Sequence, residues 1–187
     1  YSTLTDWVSG TCSLITPLFE ALKAEVLQSN YLHADETPIK VMDKDKKGET
    51  HRGYYWVYQN SLNKIVLFDY REGRGREGPE DILQGFQGYL QTDGYAGYDV
   101  FAAQQGITLI HCMAHARRKF NDALNNDAER ASHALQEIQK LYTIERICKE
   151  QQLNFAEVKE VRRLKSVRLL RDMGLWLQQQ YLQVLPE

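Results

Sequence analysis

No stretch of this 187-residue chain approaches the roughly 20 consecutive apolar residues that a transmembrane helix requires, and no signal-peptide pattern precedes its first predicted helix. Membrane spans are thereby excluded. Cysteine is scarce: Cys12, Cys112 and Cys148 are only three and lie far apart, which argues against a disulfide framework and for reduced thiols. The expected location is the cytoplasm. Charge of one sign is also lacking, since the formal net charge is −2, so no global field draws the chain to a polyanion and any such contact must come from local basic clusters. Disorder is excluded by 43% hydrophobic and 26% charged residues. The length suits one well-buried core with a helical appendage better than two full domains. Because the chain opens on Tyr1 rather than Met, it is read as a piece of a longer protein.

What is present begins with a helical pattern over residues 3–29, where Leu4, Trp7, Val8, Thr11, Ile15, Leu18, Leu22 and Val26 form one stripe, with a bend or break expected at Gly10 and Pro17. This helix, domain 1–30, is expected to pack on the core. Leu32-His33-Ala34-Asp35-Glu36-Thr37-Pro38 then reads as a strand, with Leu32, Ala34 and Glu36 on one face and His33, Asp35 and Thr37 on the other. Flanking apolar sequence predicts that both faces are covered, which would make Asp35 a buried acid in need of a cation or base. Asp43–Thr50 reads as a solvated turn. Gly53–Gln59 and Lys64–Tyr70 are aromatic and β-branched strands joined by Asn60-Ser61-Leu62-Asn63, which extends the first strand into an antiparallel meander.

Gly73-Arg74-Gly75-Arg76-Glu77-Gly78 matches G-x-G-x-x-G, but it follows an antiparallel meander rather than the first strand of a βαβ unit. A mobile loop carrying Arg71, Arg74 and Arg76 toward phosphate is the better expectation. Gly88–Thr92 forms the fourth strand, ending at Asp93-Gly94; Tyr95–Ala103 is a short helix and Ile107–His111 a fifth, mostly apolar strand. Helices follow from Cys112 to near Asn125, with Arg117, Arg118 and Lys119 off the apolar side, and again from Ala131 to the end. The basic excess at Lys159, Arg162, Arg163, Lys165, Arg168 and Arg171 is read first as a solvated helix face with Glu157 and Glu160 available as partners, and second as a phosphate contact.

Three antiparallel strands, then helix, strand, helix, strand is the order of a ribonuclease-H-like α/β fold: a mixed five-stranded sheet at 31–125 flanked by the amino-terminal helix and a helical insertion at 126–187. In that order the first and fourth strands end side by side. Asp35 and Asp93 would then converge as a two-metal phosphoryl-transfer site requires, with hard oxygen ligands suited to Mg²⁺ or Mn²⁺. Each acid alone has a plainer role, Asp35 as a cap before Thr37-Pro38 and Asp93-Gly94 as a turn; their joint order favours the site. His111-Cys112-x-x-His115 has helical zinc-ligand spacing but lacks a nearby second pair, so Cys112 is read as a small buried residue.

His33-Ala34-Asp35-Glu36-Thr37-Pro38, Thr92-Asp93-Gly94-Tyr95-Ala96-Gly97-Tyr98 and His111-Cys112-Met113-Ala114-His115-Ala116-Arg117-Arg118-Lys119-Phe120, in this order, resemble the transposases of insertion-sequence-66-type elements. The resemblance implies part of a bacterial DDE transposase, which cleaves element ends with water and joins the freed 3′ hydroxyl to target DNA, working as a homo-oligomer. Asp35 and Asp93 would be the first two acids of its triad and would hold two Mg²⁺ or Mn²⁺ ions. The third acid, in an Asn-Asn-x-x-Glu-Arg segment, is expected beyond Glu187, leaving this piece inactive alone. Arg71, Arg74, Arg76, His115, Arg117, Arg118 and Lys119 are the expected DNA contacts. The competing functions are a ribonuclease-H-like nuclease and a non-catalytic remnant that docks DNA or protein.

Overall fold

The alternating segment around Asp35 folds as β1 (Tyr31–Met42), the middle strand of a mixed α/β sheet in the computed structural model, which describes residues 2–43 and 48–184. Aromatic and β-branched runs supply β2 (Thr50–Asn60) and β3 (Ile65–Arg71), each antiparallel to its predecessor. Their link is closed by Asn60, whose buried side-chain oxygen accepts from the backbone N–H groups of Leu62 (3.1 Å) and Asn63 (3.2 Å), the Asx turn that such a linker is suited to make. β4 (Gly88–Thr92) and β5 (Ile107–His111) add on the other side in parallel, so the order is β3-β2-β1-β4-β5. The predicted turn between β1 and β2 falls partly outside the described residues; at its base the Asp43 N–H donates to the Glu49 carbonyl at 2.9 Å.

One face of this sheet is dry. Leu32 and Ala34 of β1, Trp56 and Tyr58 of β2, Leu67 of β3 and Leu90 of β4 are buried together with Ile82, Leu83 and Phe86 from in and just after α2 (Glu77–Ile82), and with Tyr98 and Phe101 from a 3₁₀ helix (Ala96–Ala103). Burying an aromatic or leucine side chain here contributes about 1.5–3 kcal/mol, which is what holds β4 and β5 on β1. The opposite face differs from the expectation of two covered faces: Tyr55, Phe68, Tyr70 and Tyr89 are exposed on it, and so is Asp35. Edge-to-face contacts of Tyr55 with Phe68 and Tyr70 pack those rings against each other without removing them from water.

The helix α1 (Ser2–Leu27) runs unbroken through Gly10 and Pro17, correcting the expected break. Proline removes a single rung of a long ladder, and the hydroxyls of Thr11, Ser13 and Thr16 bond back to carbonyls one turn earlier. Only its last third packs on the sheet: Val26 is buried and Phe19, Leu22 and Leu27 lean on the core, whereas Leu4, Trp7, Val8, Ile15 and Leu18 are exposed.

The chain divides into two compact units, Tyr1–Cys112 and Met113–Glu187. The second consists of α3 (Met113–Ala123), α4 (Ala128–Glu150), α5 (Phe155–Val161), a π-helical turn (Arg162–Ser166) and α6 (Val167–Tyr181). Its boundary falls before α3, a helix that the sequence pattern had grouped with the sheet. Ala134, Ile138 and Met173 form its small core, with Met113, Phe120 and Trp176 against them. Asn154 and Glu157 make a capping box at the start of α5.

Candidate functional site

Parallel pairing aligns Tyr31 with Tyr89, Leu32 with Leu90 and His33 with Gln91, and Asp35 and Asp93 each lie two residues past that last pair. The two acids therefore stand at the same level of neighbouring strands, one inside β1 and one just past the end of β4. Asp35 is exposed and its Oδ1 accepts from the Glu36 N–H at 2.8 Å. Asp93 is half-buried in the turn that Gly94 makes at φ +87°, and its Oδ1 accepts from the Tyr95 N–H at 2.8 Å. His111, at the end of β5, lies beside the same turn: a Cβ on Gly94 would stand 3.6 Å from its Nδ1. His33 shares the Asp35 face of β1, and partial burial holds its imidazole below the ordinary value.

The buried acid of this strand is Glu36, not Asp35. Glu36 follows Leu32 and Ala34 onto the dry face, and its side chain is 2% exposed. A buried carboxylate needs partners, and it has them. Arg74 donates to its Oε1 from Nε at 2.7 Å and from a second guanidinium nitrogen, and the Tyr98 hydroxyl donates to Oε2 at 3.3 Å. Burial pushes the Glu36 carboxyl above its ordinary value, the Arg74 hydrogen bond and charge oppose this, and the Asp93 carboxylate adds to it. Burial likewise raises the Tyr98 hydroxyl, with Glu36 reinforcing the shift.

A second set of contacts ties this acid to the Asp93 turn. The Arg74 guanidinium lies 3.8 Å from the centroid of the Tyr95 ring, and the Tyr95 hydroxyl donates to the Arg74 carbonyl at 2.7 Å. Tyr95 stands edge-on to Tyr98, which stands edge-on to Trp56 in the core. Sequence reasoning singled out neither Glu36 nor Tyr95 nor Tyr98. The signal for Glu36 was present, because alternation had already set it on the face of Leu32 and Ala34.

The arginine loop behaves differently from a set of open phosphate donors. Arg71 donates to Asp69 at 2.6 Å and to Asp81 at 2.8 Å, Arg74 serves Glu36, and Arg76 stands 3.9 Å from Glu80. The G-x-G-x-x-G residues follow β3, an antiparallel edge strand, so the context of a dinucleotide fold is absent there. In the helical unit Arg117, Arg118 and Lys119 are exposed and His115 is half-buried; Arg117 and Arg118 line a shallow groove with Asn121, Gln139 and Tyr142. The later basic run is largely paired, Arg162 with Glu145 (2.6 Å), Arg163 with Glu160 (2.6 Å) and Arg171 with Asp172 (3.1 Å). Glu157, expected as a surface partner, instead accepts from the Asn154 N–H in the capping box at 2.8 Å.

Among the described residues no group of three or more His, Cys, Asp or Glu side chains is arranged to hold a metal ion. Asp35 and Asp93 nonetheless fit a magnesium-type ion in donor chemistry, since that ion takes one or two carboxylates and fills its other positions with water and substrate phosphate. His111 and Cys112 end the first unit and His115 lies in the second.

A family model described as Transposase IS66 family matches residues 1–187. The chain is 30% identical to the uncharacterized protein y4hP of Sinorhizobium fredii (strain NBRC 101917 / NGR234), over 94% of this chain and 35% of that protein. It is 26% identical to the uncharacterized protein y4jD of the same organism, over 91% of this chain and 36% of that one. The chain thus spans about a third of the length of these curated relatives. No solved structure matches it significantly.

Proposed function

We propose, for a chain that belongs to the IS66 transposase family, that it carries the first two acids of a ribonuclease-H-like centre for DNA cleavage and strand transfer, Asp35 and Asp93. The observation that carries this reading is the parallel register of β1 and β4, which sets both carboxylates at one level in a sheet of order β3-β2-β1-β4-β5. Two acids so placed suit divalent metal, and Mg²⁺ or Mn²⁺ bound there would polarise a phosphoryl oxygen and lower the pKa of water. This chain's own contribution is positional. Asp35 stands exposed on the open face and Asp93 is half-buried in its turn, and each has one carboxylate oxygen engaged by a backbone N–H, that of Glu36 and that of Tyr95. No third acid is assigned within the chain.

DNA is the proposed partner, with Arg117, Arg118 and Lys119 the most available phosphate donors, being exposed on one helix. Arg71 and Arg74 are the least available, because each already serves a carboxylate. The test is Mn²⁺ titration of the wild-type chain beside Asp35→Asn and Asp93→Asn, followed by electron paramagnetic resonance. Loss of one carboxylate from a shared site should weaken binding by at least about tenfold in either variant. Equal affinity in all three proteins would remove these acids from any metal site.

A further inference from the structure

Outside the two acids just described, the most completely built polar cluster in the first unit is Glu36, Arg74, Tyr95 and Tyr98, and the proposed chemistry leaves it without a task. It has a direction. Glu36 adjoins Asp35 in β1; Arg74 reaches it from the loop after β3; Tyr95 lies under the Arg74 guanidinium and bonds the Arg74 carbonyl; and the Tyr95 N–H holds Asp93. Each acid of the pair is thus one or two residues from an end of a single connected chain of contacts.

We propose that Glu36, Arg74 and Tyr95 form a positioning clamp, in which the Arg74 guanidinium, paired with the buried Glu36 carboxylate, locks the Asp93 turn against β1 and so sets the relation of Asp93 to Asp35. The clamp rests on the reading of Asp35 and Asp93 as a metal-holding pair. Its members are positioning residues: Glu36 points to the dry face, opposite to Asp35, and acts through Arg74 rather than on the ion. A guanidinium fits the task because its planar fork gives two donors to one carboxylate oxygen while its flat face covers an aromatic ring; an ammonium would do one or the other. Outer partners of this kind orient the groups that bind a metal and tune its affinity.

The clamp and a mere neighbouring positive charge predict opposite signs. Removing a bystander cation from beside two carboxylates tightens the binding of a divalent ion, because one repulsion disappears. Removing a clamp loosens it, because Asp93 loses its fixed place. With MnCl₂ as the probe, Arg74→Ala should therefore weaken Mn²⁺ binding by about tenfold, the lower end for outer-shell partners. Tyr95→Phe keeps the ring and the Arg74 charge but deletes the hydroxyl bond, and should weaken it by about threefold. Tighter or unchanged binding in Arg74→Ala, with Tyr95→Phe like wild type, overturns the clamp. Should Arg74→Ala fail to fold, Tyr95→Phe decides alone.

A readout without metal separates this from failure of the metal reading. Amide exchange at Tyr95, whose N–H is bonded to Asp93, should speed by about tenfold in Arg74→Ala, while the Tyr89 amide, bonded to the Asn30 carbonyl at the far end of β4, should not change. If wild type binds no Mn²⁺, or both Asn variants bind like wild type, the metal reading falls and the exchange ratio alone judges the clamp. Equal protection of Tyr95 in wild type and Arg74→Ala would then overturn it.

Discussion

Replacing Gly88 by alanine tests the contact on which the register of Asp35 and Asp93 depends. Gly88 opens β4 at φ +135°, and a Cβ there would stand 2.4 Å from the Asn30 carbonyl oxygen and 2.8 Å from its carbon, just before β1 begins. Backbone, unlike a side-chain tip, cannot swing aside. A positive φ of this size costs an L-residue about 1–3 kcal/mol, and forcing the neighbour to shift adds about 1–3 more, so Gly88→Ala should lose about 4 kcal/mol. Two other glycines calibrate this. Gly85 has φ +81° but open space around its Cβ position, so Gly85→Ala should show strain alone, about 1–2 kcal/mol. Gly10 lies in the exposed part of α1 with nothing within 4 Å, so Gly10→Ala should be neutral or slightly stabilising, by up to about 1 kcal/mol. Urea unfolding followed by the buried Trp56, with Trp7 and Trp176 changed to Phe, reads the sheet unit. With a slope near 2 kcal/mol per molar urea, the Gly88→Ala midpoint should fall by about 2 M and that of Gly85→Ala by less than about 1 M. Equal losses at Gly85 and Gly88 would refute the reasoning, because β4 would then start without its close approach to Asn30.

The helical unit supplies two more tests. Asn154→Ala removes a side-chain oxygen that accepts from Ala156 (2.9 Å) and Glu157 (3.1 Å), and should cost about 1 kcal/mol, read from the melting of the unit by Trp176 fluorescence; Asn154→Ser should recover most of it. Arg162 holds the Glu145 carboxyl below its ordinary value of 4.5 through paired hydrogen bonds. A depressed folded value stabilises at pH above the unfolded value and ceases to as pH falls through the folded one. The advantage of wild type over Glu145→Gln in melting temperature should accordingly be present near pH 7 and shrink as the pH falls below 4.5; an advantage that stays constant into acid would assign it to shape rather than charge.

Much of the sheet unit was legible because its signals are local. Alternation marks the strands, the Asn-Ser-Leu-Asn linker closes its own turn, and the order of three antiparallel strands before the helix-separated pair leaves few ways to arrange a sheet. The level placement of Asp35 and Asp93 follows from that order. What was not legible is non-local. Arg74 and Glu36 are 38 residues apart, so Arg74 read as an open cation although it serves a buried carboxylate. Alternation also assigns faces without saying which is covered: nearby apolar residues suggested that Asp35 was buried, whereas the other face of β1 packs on the core. The stripe on α1 misled in the same way, since an apolar row specifies a face but not its partner, and only its end from Phe19 has one.

The placement of two acids side by side in β1 turns that ambiguity into an explanation. Consecutive strand residues point to opposite faces, so one dipeptide presents Asp35 to solvent, where an ion and a phosphate can reach it, and sinks Glu36 into the core, where a charge survives only if paired. A slip of β1 by one residue that carried Asp35 to the place of Ala34 would exchange these fates, setting Asp35 in the core away from Arg74 and Glu36 in water. The buried pair thus penalises the wrong register at the level where the exposed acid must stand. The close approach of Gly88 to Asn30, which only a residue without a side chain permits, and the bond from the Tyr89 N–H to the Asn30 carbonyl at 2.9 Å set the same pairing from the other end. Register is held at the base of the β1 and β4 pair by backbone geometry and at its top by charge, and the two proposed ligands lie at the top.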